Sequence, residues 1–166
     1  MIFIDIGAFD GDSTKEAIAR GYEVYAFEPN PDTLNQYGVD IIRAAAWNED
    51  GVARLYQRNE RDTNNMSCSI IRSKTNIDPS NFQEVKTINF GKWLKELDKD
   101  IDVLKIDAEG AEYYIIESVL DNFDPERIKE WKVEDHSGFI LEHTWREHRQ
   151  NILDRLKKLN IDLKSW

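Results

Sequence analysis

Ile2-Phe3-Ile4-Asp5-Ile6-Gly7-Ala8-Phe9-Asp10-Gly11-Asp12-Ser13-Thr14-Lys15-Glu16 is the stretch on which the fold turns. Ile2–Ile6 is a short apolar run of strand type, and Gly7 ends it. A helix start follows, in which Ser13 and Glu16 have capping-box spacing. Strand, glycine turn and helix in this order open a parallel α/β sheet.

The alternation continues outward from there. The first helix ends near Gly21, and Glu23–Phe27 is a second strand. Pro29-Asn30-Pro31 turns the chain into an expected second short helix. Asp40–Ala45 reads as a third strand, Asn48-Glu49-Asp50-Gly51 as a turn, and Val52–Gln57 as another strand. Asn59–Asn81 is polar and aperiodic, and is expected to form a mobile loop or lid. Glu84–Asn89 alternates weakly and leads into a helix around Gly91–Leu97. Ile101–Ile106 is the strongest buried-strand candidate. A helix follows over Ala111–Phe123, then a strand at Trp131–Val133. Arg146–Leu159 is amphipathic, with Ile152, Leu153, Leu156 and Leu159 on one face. Ile161–Leu163 begins a last strand. This predicts a single domain over residues 1–166 with a Rossmann-like, doubly wound, mostly parallel sheet.

Composition narrows the function. The 166 residues are 40% hydrophobic and 33% charged, which is enough to bury a core. A net charge of −10 repels phosphate backbones, so no nucleic-acid partner is expected. Cys68 is the sole cysteine, which leaves no internal disulfide and no cysteine-rich zinc site. No apolar run is long enough to span a membrane, and Met1-Ile2-Phe3-Ile4-Asp5 lacks the features of a leader peptide. The expected location is cytoplasmic, with no membrane partner.

The first two strand ends define a candidate nucleoside site. Gly7 and Glu28 are separated by about twenty residues, the spacing between a glycine loop and the acid that holds ribose hydroxyls. A carboxylate suits a cis-diol because it accepts two hydrogen bonds. A dinucleotide fingerprint would place glycine at position 9, where Phe9 obstructs the approach of a pyrophosphate. Asp5, Asp10 and Asp12 would crowd its charge. S-adenosylmethionine has no phosphate and carries a sulfonium and an ammonium, which an acidic loop attracts. The expected cofactor contacts are Asp5, Gly7, Ala8, Phe9, Gly11 and Ser13 in the loop, with Glu28 and Pro29 at the second strand.

These residues resemble the FkbM family of class I S-adenosylmethionine-dependent methyltransferases. Phe3-Ile4-Asp5-Ile6-Gly7-Ala8 with Gly11 resembles its first motif, and Phe27-Glu28-Pro29-Asn30-Pro31 its second. Ala45-Ala46-Trp47-Asn48-Glu49-Asp50-Gly51 resembles the segment that borders the adenine, which implies Ala46 and Trp47 as further cofactor contacts. Ser67-Cys68-Ser69-Ile70 resembles a serine-containing segment before the late strands. The most specific match is Val103-Leu104-Lys105-Ile106-Asp107-Ala108-Glu109-Gly110-Ala111-Glu112. Glu134 and His136 fall where the family has an acid and a histidine. The resemblance implies an O-methyltransferase acting on a hydroxyl of a sugar, glycan or small metabolite.

Asp107, at the end of the fourth core strand, is the expected partner of the acceptor and a further cofactor contact. With His136 it would position or deprotonate the acceptor hydroxyl, beside Glu109. Lys105 either orients the acids or forms a structural ion pair. Asp107, Glu109, Glu134, Asp135 and His136 offer donors that suit Mg²⁺ or Mn²⁺. Acid clusters are commonly solvated strand ends, and no required metal is assigned. Two alternatives stay open at this level: a nucleotide-dependent oxidoreductase, and a non-catalytic cofactor-binding module of the same fold.

Overall fold

A computed structural model describes residues 1–33, 38–58 and 67–166. In chain order the elements are β1 (Ile2–Ile6), α1 (Asp12–Ala19), β2 (Glu23–Phe27), β3 (Ile41–Ile42), β4 (Ala45–Trp47) and β5 (Gly51–Arg58). Then come β6 (Ile77–Asn89), α2 (Phe90–Leu97), β7 (Val103–Ile106), α3 (Glu112–Asn122), β8 (Trp131–Val133), α4 (His143–Lys158) and β9 (Leu163–Ser165). Two short 3₁₀ turns, Pro125–Arg127 and Ser137–Phe139, flank β8.

Six strands form a parallel sheet in the order β3-β2-β1-β7-β8-β9. The chain steps one way from β1 to β3 and the other way from β7 to β9. The direction therefore reverses between β1 and β7, where an α/β sheet opens its crevice. This is the Rossmann-like α/β architecture that the strand–helix alternation predicts.

The pleat divides the apolar residues between two faces. Ile4, Ile6, Leu104 and Ile106 enter the main core with residues of α2, α3 and α4, including Phe90, Leu94, Ile115, Ile116, Ile152 and Leu156. Phe3 and Val103 form a smaller cluster with Ala17 of α1. Phe27 meets Phe90 and Trp93 edge-to-face, with ring centroids 5.7 and 5.0 Å apart, and ties β2 to α2.

A second sheet of order β4-β6-β5 stands beside the first. It accounts for the main departures from the expected elements. The single strand expected over Asp40–Ala45 is two strands: β3 pairs with β2, and after Arg43 and Ala44 the chain crosses to the other sheet as β4. The loop expected through Asn81 is shorter, because Ile77–Asn81 belongs to β6. Pro79 is accommodated there because the β5–β6 register shifts between Tyr56 and Arg58, and Asp78 closes the irregularity by accepting from the Ser80 N–H and hydroxyl.

Residues 67–76 are held at several points. Ser69 pairs with Tyr56, Lys74 pairs with Ile140, and the Thr75 N–H donates to the Phe139 carbonyl at 2.8 Å. The expected lid residues 59–66 lie outside the described residues. So do residues 34–37, on which the second short helix was expected to continue; the described part before them is a turn in which the Thr33 N–H donates to the Asn30 carbonyl. Among the described residues, no helix is long and apolar enough to cross a membrane.

The β6–α2 junction has little tolerance. Asn89 caps α2 by accepting from the Lys92 N–H at 3.0 Å, and the Ser118 hydroxyl of α3 donates to the same Asn89 oxygen at 2.9 Å. At Gly91 the helices touch: an added Cβ would lie 1.9 Å from the Ser118 carbonyl oxygen. Gly91→Ala is therefore expected to lose about 1–3 kcal/mol of stability. The measurement is urea unfolding, where the midpoint should fall with little change in slope.

Candidate functional site

The end of β1 is stitched to the end of β2 by backbone hydrogen bonds. The Gly7 and Ala8 N–H groups both donate to the Phe27 carbonyl at 3.0 Å. The Phe9 N–H donates to Glu28 Oε2 at 3.0 Å, and the Asn30 N–H to Glu28 Oε1 at 2.8 Å. Gly7 has φ +79°, and a Cβ there would fall 1.8 Å from the Asp107 carbonyl oxygen. Only glycine lets the tips of β1 and β7 meet in this way.

Above these tips lies a cleft of about 670 Å³, counted out to its mouth. Its walls differ in chemistry. Ala44, Ala45, Ala46, Leu55 and Ile70 contribute apolar surface, and Asp107 and Glu109 contribute acidic surface. Gly7, Phe9, Glu28, Pro29 and Cys68 also line it. An apolar slot with a few convergent charged groups is the usual form of a small-molecule site.

Four buried groups set the electrostatics: Lys105, Asp5, Glu112 and His136. Beneath the loop, Lys105 donates to Asp5 Oδ1 and to the Gly7 carbonyl, both at 2.9 Å. Asp5 Oδ2 accepts from the Ser13 hydroxyl at 2.6 Å and the Thr14 hydroxyl at 2.7 Å. Farther along, the Glu112 carboxylate accepts from the Ala108 N–H at 3.2 Å and the Gly110 N–H at 2.9 Å, and bonds His136 Nδ1 at 2.9 Å. The far side of the His136 ring faces acids: Nε2 lies 3.4 Å from Glu109, 3.8 Å from Glu134 and 4.0 Å from Asp107.

Protonation follows from these surroundings. Burial pushes Asp107 up to about 6, against the pull of Lys105 at 3.8 Å, with Glu134 adding to the rise. Burial disfavours a charged His136, but the hydrogen bond and charge of Glu112, with Glu109 and Asp107, outweigh it and hold the imidazolium up to about 9. Burial raises Glu28, opposed by the Asn30 and Phe9 N–H groups. Burial also pushes the Cys68 thiol up to about 11.

Residues 5–160 match the Methyltransferase FkbM domain. The chain belongs to the FkbM methyltransferase family. No curated protein and no solved structure matches it. Membership makes the protein a methyltransferase and removes the oxidoreductase alternative.

Within this FkbM domain the expected site residues divide into two groups. Gly7, Phe9, Glu28, Pro29, Ala46, Asp107 and Glu109 line the cleft. Asp5, Ala8, Gly11 and Ser13 do not; Asp5 and Ser13 are joined beneath the loop, and Ala8 and Gly11 are part of the loop itself. Asp5 is fully buried, with its charge matched by Lys105. Ser13 donates to Asp5 in place of capping α1, whose N-terminal cap is Gly11 in the left-handed conformation. Trp47 is also outside the lining and packs on Tyr114, ring centroids 4.5 Å apart, because β4 turns it toward α3. His136 sits beside the cleft and is buried among acids.

Three further residues complete the site: Lys74, Ser69 and Glu112. Lys74 is buried and ion-paired with the Glu109 carboxylate, and the Ser69 hydroxyl donates to the Glu109 carbonyl at 2.7 Å. Ser69 lies in a segment with a family-like pattern, but nothing local in the sequence marks Lys74. Glu112 falls in the most specific motif and looks there like a helix-dipole residue, whereas it is the buried partner of His136. Asp107, Glu109 and His136 each bring one donor atom within 4.8 Å of the others. In this arrangement Lys74 and Glu112 already supply partners to Glu109 and His136.

The raised Asp107 has a consequence for stability. Its folded-state value of about 6 exceeds its ordinary value of 3.8, so the fold holds the protonated acid more readily than the unfolded chain does. That contribution is present below about pH 4 and is lost as pH rises through about 6. Asp107→Asn cannot ionise, so its melting temperature relative to the parent is expected to climb between pH 4 and pH 6.5. Thermal unfolding across that range measures it.

Proposed function

We propose that the protein transfers a methyl group from S-adenosylmethionine to the hydroxyl of an uncharged sugar, glycan or small metabolite. One observation carries the catalytic assignment. Of the three carboxylates that line the cleft, Glu28 and Glu109 are hydrogen-bonded, while Asp107 has no side-chain hydrogen bond among the described residues. It is the acid left open for an incoming proton donor.

The cleft fits the cofactor. Each Glu28 oxygen accepts one backbone N–H and retains a lone pair, so the carboxylate can still receive two ribose hydroxyls. The absence of a Cβ at Gly7 lets the Asp107 backbone close up against the glycine loop, so both strand tips border the crevice. Ala44–Ala46, Leu55 and Ile70 offer apolar surface for a flat base, and the acids of the lining complement a sulfonium and an ammonium. When bound, S-adenosylmethionine supplies an electrophilic methyl group.

The chain's own residues supply alignment and proton removal. Asp107 accepts the hydroxyl proton; its raised value lies nearer to neutral pH than an ordinary aspartate's, which favours general-base work. Lys105 stands 3.8 Å away and restrains that rise. His136, held as an imidazolium by Glu112, serves as a fixed hydrogen-bond donor beside Asp107 and not as the base. Asp107, with Glu134 near it across His136, repels phosphate-bearing acceptors, nucleic acid and anionic membrane surfaces alike.

Calorimetry with S-adenosylmethionine and S-adenosylhomocysteine is expected to show binding. Glu28→Ala should weaken it about tenfold to a hundredfold, the value of charged hydrogen bonds. Incubation with a panel of neutral glycosides and their phosphorylated counterparts, read as S-adenosylhomocysteine release, tests the acceptor. Turnover should appear with the neutral set and fall at least about a hundredfold in Asp107→Asn, a loss larger than any accompanying loss of cofactor affinity. Binding without turnover on any hydroxyl would favour the non-catalytic module.

A further inference from the structure

We infer that Lys74 is a positioning residue of this site: with Ser69 it holds Glu109 in place, turns the Glu109 carboxylate toward His136, and thereby leaves Asp107 open to the acceptor. Glu109 needs such restraint. Its φ is +54°, a left-handed conformation uncommon for a residue with a side chain, and it persists only where surroundings over-determine it. Both ends of the residue are gripped from one short segment. Ser69 donates to its carbonyl, and the Lys74 ammonium pairs with its carboxylate.

The segment itself is fixed. Lys74 forms an antiparallel bridge with Ile140, its N–H donates to the Ile71 carbonyl at 3.2 Å, and the neighbouring Thr75 N–H bonds Phe139. The Lys74 side chain is fully buried, with its ammonium 5.7 Å from the centre of the Phe139 ring. A lysine buried this deeply depends on its counter-ion. Here that counter-ion lies in the cleft wall, 3.4 Å from His136 Nε2. Glu109 is thus shared between two cations. It draws the His136 N–H toward itself, away from Asp107 at 4.0 Å.

The catalytic meaning of this arrangement rests on the methyltransferase reading above; the arrangement itself can be tested without an acceptor. The groups facing His136 are Glu112 on α3, Asp107 and Glu109 at the β7–α3 turn, and Glu134 after β8, with Lys74 acting through Glu109 and Lys105 through Asp107. Removing the Lys74 charge leaves Glu109 to His136 alone. In ¹H–¹⁵N spectra of the full chain, the His136 titration midpoint is expected to rise by about one pH unit in Lys74→Met, and to stay within a few tenths of the parent in Lys74→Arg. An unchanged midpoint in Lys74→Met overturns the inference.

Should Lys74→Met fail to fold, the parent and Glu109→Gln decide. Slowly exchanging Lys74 ammonium protons are expected in the parent and lost in Glu109→Gln. Their absence from the parent, or persistence in the variant, overturns the inference equally. Calorimetry with S-adenosylhomocysteine on the same samples separates the two claims. A parent that binds none of it defeats the cofactor reading and leaves the Lys74–Glu109 result to stand or fall on the spectra.

Discussion

Lys105 and Asp5 meet in the interior, at the one place where two neighbouring strands of the sheet feed chains running in opposite directions. Taking both charges out of water is costly, and their attraction alone does not offset that cost. The remaining hydrogen-bonding capacity does the rest. Lys105 also donates to the Gly7 carbonyl, and Asp5 also accepts from Ser13 and Thr14. One ion pair therefore joins β1, β7, the glycine loop and the first turn of α1. The crevice above inherits its shape from that knot, since Gly7 and Asp107 are carried on its two strands.

Above the knot the acids are sorted by what surrounds them. Glu28 is committed to backbone N–H groups, Glu112 to backbone and imidazole, and Glu109 to an ammonium. Among the described residues, Asp107 faces only distant cations at 3.8 and 4.0 Å. Four carboxylates of similar intrinsic acidity thus take up different tasks through their neighbours, the usual way a protein separates structural acids from reactive ones.

Much of this was legible in the chain. Ile2–Ile6 and Glu23–Phe27 match observed strands residue for residue, because an apolar run bounded by Gly7 or Pro29 leaves few alternatives. The spacing of Gly7 and Glu28 and the run from Val103 to Glu112 single out residues that the structure gathers at one cleft. Partners chosen through space were not legible. Ser13 has the spacing of a helix cap, yet buried Asp5 recruits it. Lys74 sits in a polar stretch without periodicity, and its role depends on Glu109, which is distant in sequence. The second sheet was hidden for a similar reason: Pro79 argues locally against a strand, and only pairing with β5 across a bulge accommodates it. Trp47 was expected beside the cofactor base, but the direction of β4 decides which way its ring turns.

Cys68 gives the protein an experimental property of its own. It is the only thiol in the sequence, and it lies in the cleft wall beside Ala44–Ala46 and Leu55. Its sulfur sits 3.0 Å from Gln57 Oε1, and burial keeps it protonated far above neutrality. Alkylating reagents act on the thiolate, so modification at physiological pH will be slow. A fluorophore or spin label attached there reports from a single, defined location. No competing cysteines need be removed, and the rate of attachment itself measures how far the crevice wall is shielded.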